Sequence, residues 1–187
     1  MTTTTPADDA ERVRRARAGD MSAFVEIVRT YQTAALRLAT IICGDPTEAY
    51  DIVQEAFVSA HKALPTIRED QSLRPWLMRI VANQAKNFRR SRWRRDGRAE
   101  QEARLHVHDA VGADTAALDA VTAEVLLRAV ERLPRNDRSV IACRFFAGMN
   151  EAEAAVALGI PTGTVKSRTA RALARLRTGT LREEVAT

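Results

Sequence analysis

Lys166, Ser167, Ala170 and Arg171 fall at i, i+1, i+4 and i+5 of one stretch, LGIPTGTVKSRTARALARLR, and share a face if that stretch is helical. Lys and Arg side chains suit the O6 and N7 acceptors of guanine, a Ser hydroxyl serves several bases, and an alanine is small enough to touch a thymine methyl. Arg168, Arg175 and Arg177 flank this set, where cations hold phosphates and so position without specifying. Val165, Thr169, Ala172, Leu173 and Leu176 fall on the other side and are expected to pack inward. Just before them, Gly159-Ile160-Pro161 breaks the preceding helical pattern. A short glycine-containing turn between two small helices is the helix-turn-helix signature, whose second helix enters the major groove of DNA. Gly159 suits a left-handed helix end, and Thr162 or Thr164 a cap for the helix that follows. A solvated basic helix after an ordinary turn has the same composition, but turn, apolar face and donor face together favour base reading.

A second basic block lies upstream. From Arg74 to Arg98, nine basic residues stand against one acid, Asp96, with Trp76, Phe88 and Trp93 among them. A cationic groove with aromatic planes suits single-stranded nucleic acid, where charge tracks the backbone and rings stack on bases. Asn83 and Asn87 share a face with Arg79, Lys86 and Arg90, and an amide reads a base edge bidentately. Trp76 and Phe88 equally suit a core, whereas Trp93 has no apolar neighbours at helical spacing and is expected to meet a partner. The loop from Ile67 to Leu73 precedes this helix, where a pocket for an unstacked base would have to return the few kcal/mol that unstacking costs.

The stretch TEAYDIVQEAF carries Asp51, Gln54 and Glu55 at i, i+3 and i+4, on one face. Carboxylates repel DNA, so this face is either solvated or docks a protein. No cluster of acid, His or Cys residues has a spacing that supports catalysis, so no enzyme activity, cofactor or metal is expected. His106 and His108 lack further ligands nearby. Cys43 and Cys143 sit in apolar runs and read as buried small hydrophobes.

The elements that must position these faces are all helical. The chain has 187 residues, a formal charge of +5 and a pI of about 9.8, a balance that favours an acidic partner such as nucleic acid. The N-terminus lacks the apolar stretch of a signal peptide, and no run approaches the roughly 18 apolar residues of a membrane span. A cytoplasmic protein without direct membrane insertion is expected. Helical periodicity predicts eight helices and no strand. The first runs from Asp8 to Ala18. The second carries Phe24, Ile27, Val28, Tyr31, Ala35, Leu38 and Ile42. The third follows an Asp45-Pro46 start and buries Ile52, Val53, Ala56, Phe57, Ala60 and Leu64. The fourth begins near Arg74. After a polar, glycine-dotted stretch, periodicity returns from Leu118 and Val121 through Leu133, then in a sixth helix with Val140, Ile141, Phe145 and Phe146 inward. Two short helices either side of Gly159 complete the set. The fold class is therefore all-α: two small helical domains, 1–95 and 117–187, joined by a flexible linker over 96–116.

Three segments carry a family resemblance. YDIVQEAF resembles region 2.2 of the extracytoplasmic-function group of sigma-70 factors. LRPWLMRIVANQAKNFRR resembles regions 2.3 to 2.4, and ERLPRNDRSVIACRFFAGMNEAEAAVALGIPTGTVKSR resembles region 4. The resemblance spans about Phe24 to Arg177.

It implies a sigma factor: a dissociable specificity subunit, not an enzyme, that binds core RNA polymerase and promoter DNA. Asp51, Gln54 and Glu55 would dock on the β′ coiled coil, and region 4 would also sit on the β-flap. Trp76, Arg79, Asn83, Lys86, Asn87 and Arg90 would recognise and melt the −10 element. Thr164, Lys166, Ser167, Arg168, Ala170, Arg171 and Arg175 would read the −35 element. The family is usually held inactive by an anti-sigma factor. Three departures stand out. Tyr50 replaces a usual acid, and Ile67 and Leu73 stand where aromatics are common around the base-capture loop. Ala154 replaces a large aliphatic residue, which predicts looser packing of the seventh helix. A stand-alone helix-turn-helix regulator is the alternative; it would leave the acidic face and the Arg74 to Arg98 block idle.

Overall fold

Two Gly-Asp pairs set the first two corners of the chain. Gly19 and Gly44 take left-handed backbone conformations (φ 93° and 83°) that end one helix, and the aspartate that follows each caps the next. Asp20 accepts hydrogen bonds from the Ser22 and Ala23 amides, and Asp45 from those of Thr47 and Glu48. Pro46 occupies the first turn, where its missing N–H costs nothing. The helices so delimited are α1 (Pro6–Arg17), α2 (Met21–Cys43) and α3 (Pro46–Ala63). A 3-10 turn, Leu64–Thr66, leads on to α4 (Leu73–Arg95). The second part comprises α5 (125–131), α6 (Arg135–Ile141) continuing into a π-turn (Ala142–Phe146), α7 (Glu151–Leu158) and α8 (Thr162–Glu184). This computed structural model describes residues 6–68, 71–95 and 125–184, with side chains over 7–68, 71–91 and 125–178. No strand occurs among them. The linker expected over 96–116, Leu118, Val121, His106, His108 and the Trp93 side chain lie outside them.

Helices α2, α3 and α4 pack around Ile27, Leu38, Ile52, Phe57, Leu77, Met78 and Val81, all buried. Each large aliphatic side chain there is worth about 2–5 kcal/mol against truncation to alanine. Helix α1 lies across this bundle, where the Tyr31 hydroxyl donates to Asp9 and Arg17 Nε donates to the Leu64 carbonyl at 3.1 Å. Burial raises the Asp9 carboxyl above its ordinary range, against the lowering effects of Tyr31 and Arg12.

The core does not stop at α4. It continues through Val130, Val140, Ile141, Cys143, Met149, Ala154, Val165 and Ala172 as one buried cluster. Helix α7 packs on α4, and the π-turn packs on α2. Ala154 is fully buried. Its small side chain lets helix axes approach closely, so the expected loose packing is not what the fold shows. Arg74 spans the contact: its Nη2 donates to the Ala147 carbonyl and, at 3.0 Å, to that of Gly148.

Several local expectations change. Helix α1 begins at Pro6. Phe145 is 56% exposed, because the π-turn adds a residue to the helical repeat and rotates it out of the core. Met149 fills the interior there instead, at 1% exposure. Leu173 is exposed rather than inward. Ile67 and Leu73 are both buried, so neither offers a surface for a stacked base.

Candidate nucleic-acid interface

Helix α4 has one polar face and one apolar face, and its side chains sort accordingly. Leu77, Met78, Val81, Ala82 and Ala85 are buried, while Arg79, Asn83, Asn87 and Arg90 are exposed. These four fall at i, i+4, i+8 and i+11, a continuous stripe of two cations and two amides along the outside of the helix. Trp76, at the start of that stripe, is partly buried and packs against the core.

Lys86, at i+7, falls on this same face but is half buried, near Cys143 of the π-turn and Arg168 of α8. Burial holds its amine below the ordinary lysine range; the Arg168 charge pushes the same way and Cys143 opposes. By helical position Lys86 shares a face with Arg79, Asn83 and Arg90, but it is partly covered where those three are exposed. Arg89 behaves alike, with its pKa lowered first by burial and then by Arg135, while its Nη1 donates to the Ile42 carbonyl at 3.3 Å.

The α7–α8 pair is a helix-turn-helix in local geometry. Asn150 caps α7 through a reciprocal box: its side chain accepts from the Glu153 amide, and Glu153 accepts from the Asn150 amide. Gly159 closes α7 in the left-handed conformation, φ 66°. Helix α8 begins at Thr162, directly after Pro161, whose carbonyl accepts from the Thr164 and Val165 amides. Val165 and Ala172 are fully buried, which turns Lys166, Ser167, Ala170 and Arg171 outward. Thr164 and Arg168 are half-buried, and Arg175 is exposed. The Ser167 hydroxyl donates to the Thr164 carbonyl at 3.2 Å.

Acids that sequence reasoning passed over pair with this cationic face. Glu151 lies 3.6 Å from Lys166, and Asp137 lies 3.8 Å from Arg171 and 3.5 Å from Arg175. Their partners are far apart in sequence and carry no periodic signal. On α3, Asp51, Gln54 and Glu55 are all exposed on one side, and Tyr50 beside them is exposed too. Gln54 borders an apolar hollow of about 340 Å³ that Met21, Phe24, Val28, Phe57 and Val58 also line. Phe24 meets the ring of His61 edge-on there, at 4.7 Å between centroids.

Cys43 and Cys143 are buried free thiols, pushed up by burial to about 11 and about 12. Among the described residues, no group of three or more His, Cys, Asp or Glu side chains could hold a metal ion, and no helix is long and apolar enough to cross a membrane.

Known proteins are similar to this chain along most of its length. Residues 27–95 match the family model of sigma-70 region 2, and residues 123–176 that of sigma-70 region 4. The chain is 36% identical over 168 residues to the ECF RNA polymerase sigma factor SigM of Mycobacterium tuberculosis, an alignment that covers 90% of this chain and 82% of the relative. Among solved structures it is similar to CnrH in complex with the cytosolic domain of CnrY, with a TM-score of 0.71, 26% identity, and 91% and 96% of the two chains covered. The fold also matches the sigma factor RpoE in complex with the anti-sigma factor NepR from Bartonella quintana, with a TM-score of 0.71, 24% identity, and 84% and 96% coverage. Both sigma regions in order on one all-helical chain, with relatives aligned along nine-tenths of it, mean that this chain belongs to the ECF group of the sigma-70 family of RNA polymerase sigma factors.

Proposed function

We propose that the chain reads two promoter elements through two faces of unlike chemistry while seated on core RNA polymerase. The α4 stripe of Arg79, Asn83, Asn87 and Arg90 takes the −10 element as it opens, with the amides reading base edges and the arginines holding the strand. Trp76 and Lys86 join that surface only where α4 is uncovered. The outward face of α8 takes the −35 duplex: Lys166, Ser167, Ala170 and Arg171 toward base edges, Thr164, Arg168 and Arg175 toward phosphates. Asp51, Gln54 and Glu55 on α3 dock on the β′ coiled coil, and region 4 contacts the β-flap. The chain itself contributes no bond-making step; it acts in the cytoplasm as an initiation factor.

The observation that carries this reading is the pairing of two outward cationic faces, on α4 and α8, with an acidic outward face on α3. A stand-alone DNA-binding regulator has no use for the acidic face. The complex of the similarly folded RpoE with NepR supports an anti-sigma partner. Such a partner would cover polymerase-facing surfaces, and the exposed apolar side chains Met21, Tyr50 and Val58 near α3 give it area to bury.

Run-off transcription with bacterial core polymerase lacking any specificity subunit, on a promoter library, is the test. Initiation from a subset with common upstream and start-proximal elements is the expected result. Absence of initiation from every start site overturns the proposal, and duplex binding of equal strength without polymerase would favour the regulator.

A further inference from the structure

Asp137 stands in the first turn of α6 with its side chain only 6% exposed, and a single oxygen of its carboxylate faces two arginines of α8. Oδ2 lies 3.8 Å from Arg171 Nε and 3.5 Å from Arg175 Nη1. We propose that Asp137 is a positioning and specificity-determining residue for duplex recognition, holding the two guanidinium groups of α8 in register. This rests on the reading of α8 as the helix that enters the groove.

Three physical points support it. Arg171 and Arg175 are four residues apart on one helix, where like charges repel and long side chains spread over many rotamers. One anion between them offsets that repulsion and narrows the spread. Next, both separations exceed the usual range of an N–H···O bond, so the attraction steers the guanidinium groups without committing their N–H donors. Each arginine keeps its fork for a base edge or a phosphate. Finally, the side chains of Arg171 and Arg175 are about half exposed, at 54% and 49%, whereas Asp137 is not. A duplex therefore meets the cations and never the acid.

The carboxylate also subtracts one charge from beneath the reading face. Sequence-independent attraction to phosphates falls with that charge, while the geometry that distinguishes bases stays fixed. Asp137 thus trades affinity for discrimination.

The test uses the full chain bound to core polymerase. Affinity is measured over a salt series for duplexes carrying the −35 element preferred by the wild type and a scrambled one. With Asp137→Asn, which keeps shape and removes charge, binding to the scrambled duplex is expected to strengthen. The slope of log affinity against log salt should steepen by up to about 0.9, and the preferred-to-scrambled ratio should fall by roughly fivefold or more. In an Arg171→Gln, Arg175→Gln background the same substitution should leave the ratio unchanged. An unchanged ratio in the wild-type background, or the same fall in ratio in the double-Gln background, overturns the proposal. Should Asp137→Asn fail to fold, Asp137→Glu carries the test: it keeps the charge and displaces the oxygen from the two guanidinium groups, so the ratio must fall with the slope unchanged, and an unchanged ratio overturns it. A wild-type holoenzyme with no preferred element removes the function and this inference together; a wild-type preference that Asp137→Asn leaves intact removes this inference alone.

Discussion

Arg74→Ala should loosen region 4 from region 2, and the size of the effect follows from three contacts. Arg74 Nη2 donates to the carbonyls of Ala147 and Gly148, and Nη1 lies 4.0 Å from Glu153. A hydrogen bond from a charged donor contributes about 1.5–3 kcal/mol. The Gly148 carbonyl is exposed and regains water, so it returns part of that; Ala147 is buried and does not. The ion pair to Glu153 is partly exposed and contributes about 0–1 kcal/mol. The substitution should therefore weaken the contact by about 2–4 kcal/mol, roughly 30- to several hundred-fold in the opening equilibrium. The chain supplies its own probe, since it has only three lysines, Lys62, Lys86 and Lys166. Lys62 and Lys166 are exposed, whereas Lys86 is half buried near the π-turn and α8. Amine labelling followed by mass spectrometry reads Lys86 against the other two as internal standards. Labelling of Lys86 should accelerate at least tenfold in Arg74→Ala, with Lys62 and Lys166 unchanged. Equal protection of Lys86 in both proteins would refute the role given to Arg74.

Burial lowers the Lys86 pKa from its ordinary 10.5, so the packed state binds its proton less tightly than the open one. The penalty is full at neutral pH and is relieved as pH rises through the lowered value toward 10.5. Denaturant midpoints from pH 7 to 10 should therefore carry a rising component that Lys86→Met abolishes; a difference that is flat with pH contradicts it. Lys166→Ala should cost roughly 1–3 kcal/mol of discrimination at the base pair it reads, measured as promoter preference of the holoenzyme, and an unchanged preference removes Lys166 from the reading face. Asp51→Arg should abolish capture of core polymerase without moving the thermal midpoint, because Asp51 is exposed; retained pull-down removes the docking role.

What was legible in the sequence was mostly local. Gly-Asp at 19–20 and 44–45 and glycine at 159 fix corners by backbone conformation and capping, which depend on a few adjacent residues. The apolar stripes of α2, α3 and α8 gave the inward faces because a regular helix repeats every 3.6 residues. The errors fall where that repeat changes or where a neighbour is distant in sequence. Phe145 was placed inward on an α-helical count, and the π-turn Ala142–Phe146 rotates it out. Lys86 shares a face with Asn83 and Arg90 as spacing implies, but spacing cannot register that it is half buried against the π-turn and α8. Ile67 and Leu73 could not be separated from a base-binding loop until the core they fill was visible. Asp137 and Glu151 carry no signal in the spacing, and only the fold brings them to α8.

The contact between the two regions has an electrostatic character that bears on how it opens. Beyond burial, the Arg168 charge disfavours that of Lys86 across it, and the Arg135 charge that of Arg89. Burial pushes Arg138 nearby down to about 10, with Arg89 adding to the effect. The packed arrangement is thus held by apolar surface, by Ala154 and Met149 among others, and by Arg74, against the mutual repulsion of two basic modules. A polyanion reverses the sign of the electrostatic part, because it binds each cation more strongly once the other module is withdrawn. A ligand shifts such an equilibrium only by its differential affinity for the two states, and each cation freed from the contact adds to that difference. On the proposed function, nucleic acid would favour the open arrangement through the charges proposed to recognise it. Added salt screens the repulsion and weakens the polyanion together, so its net effect on opening should be small in the free chain and large once a duplex is present.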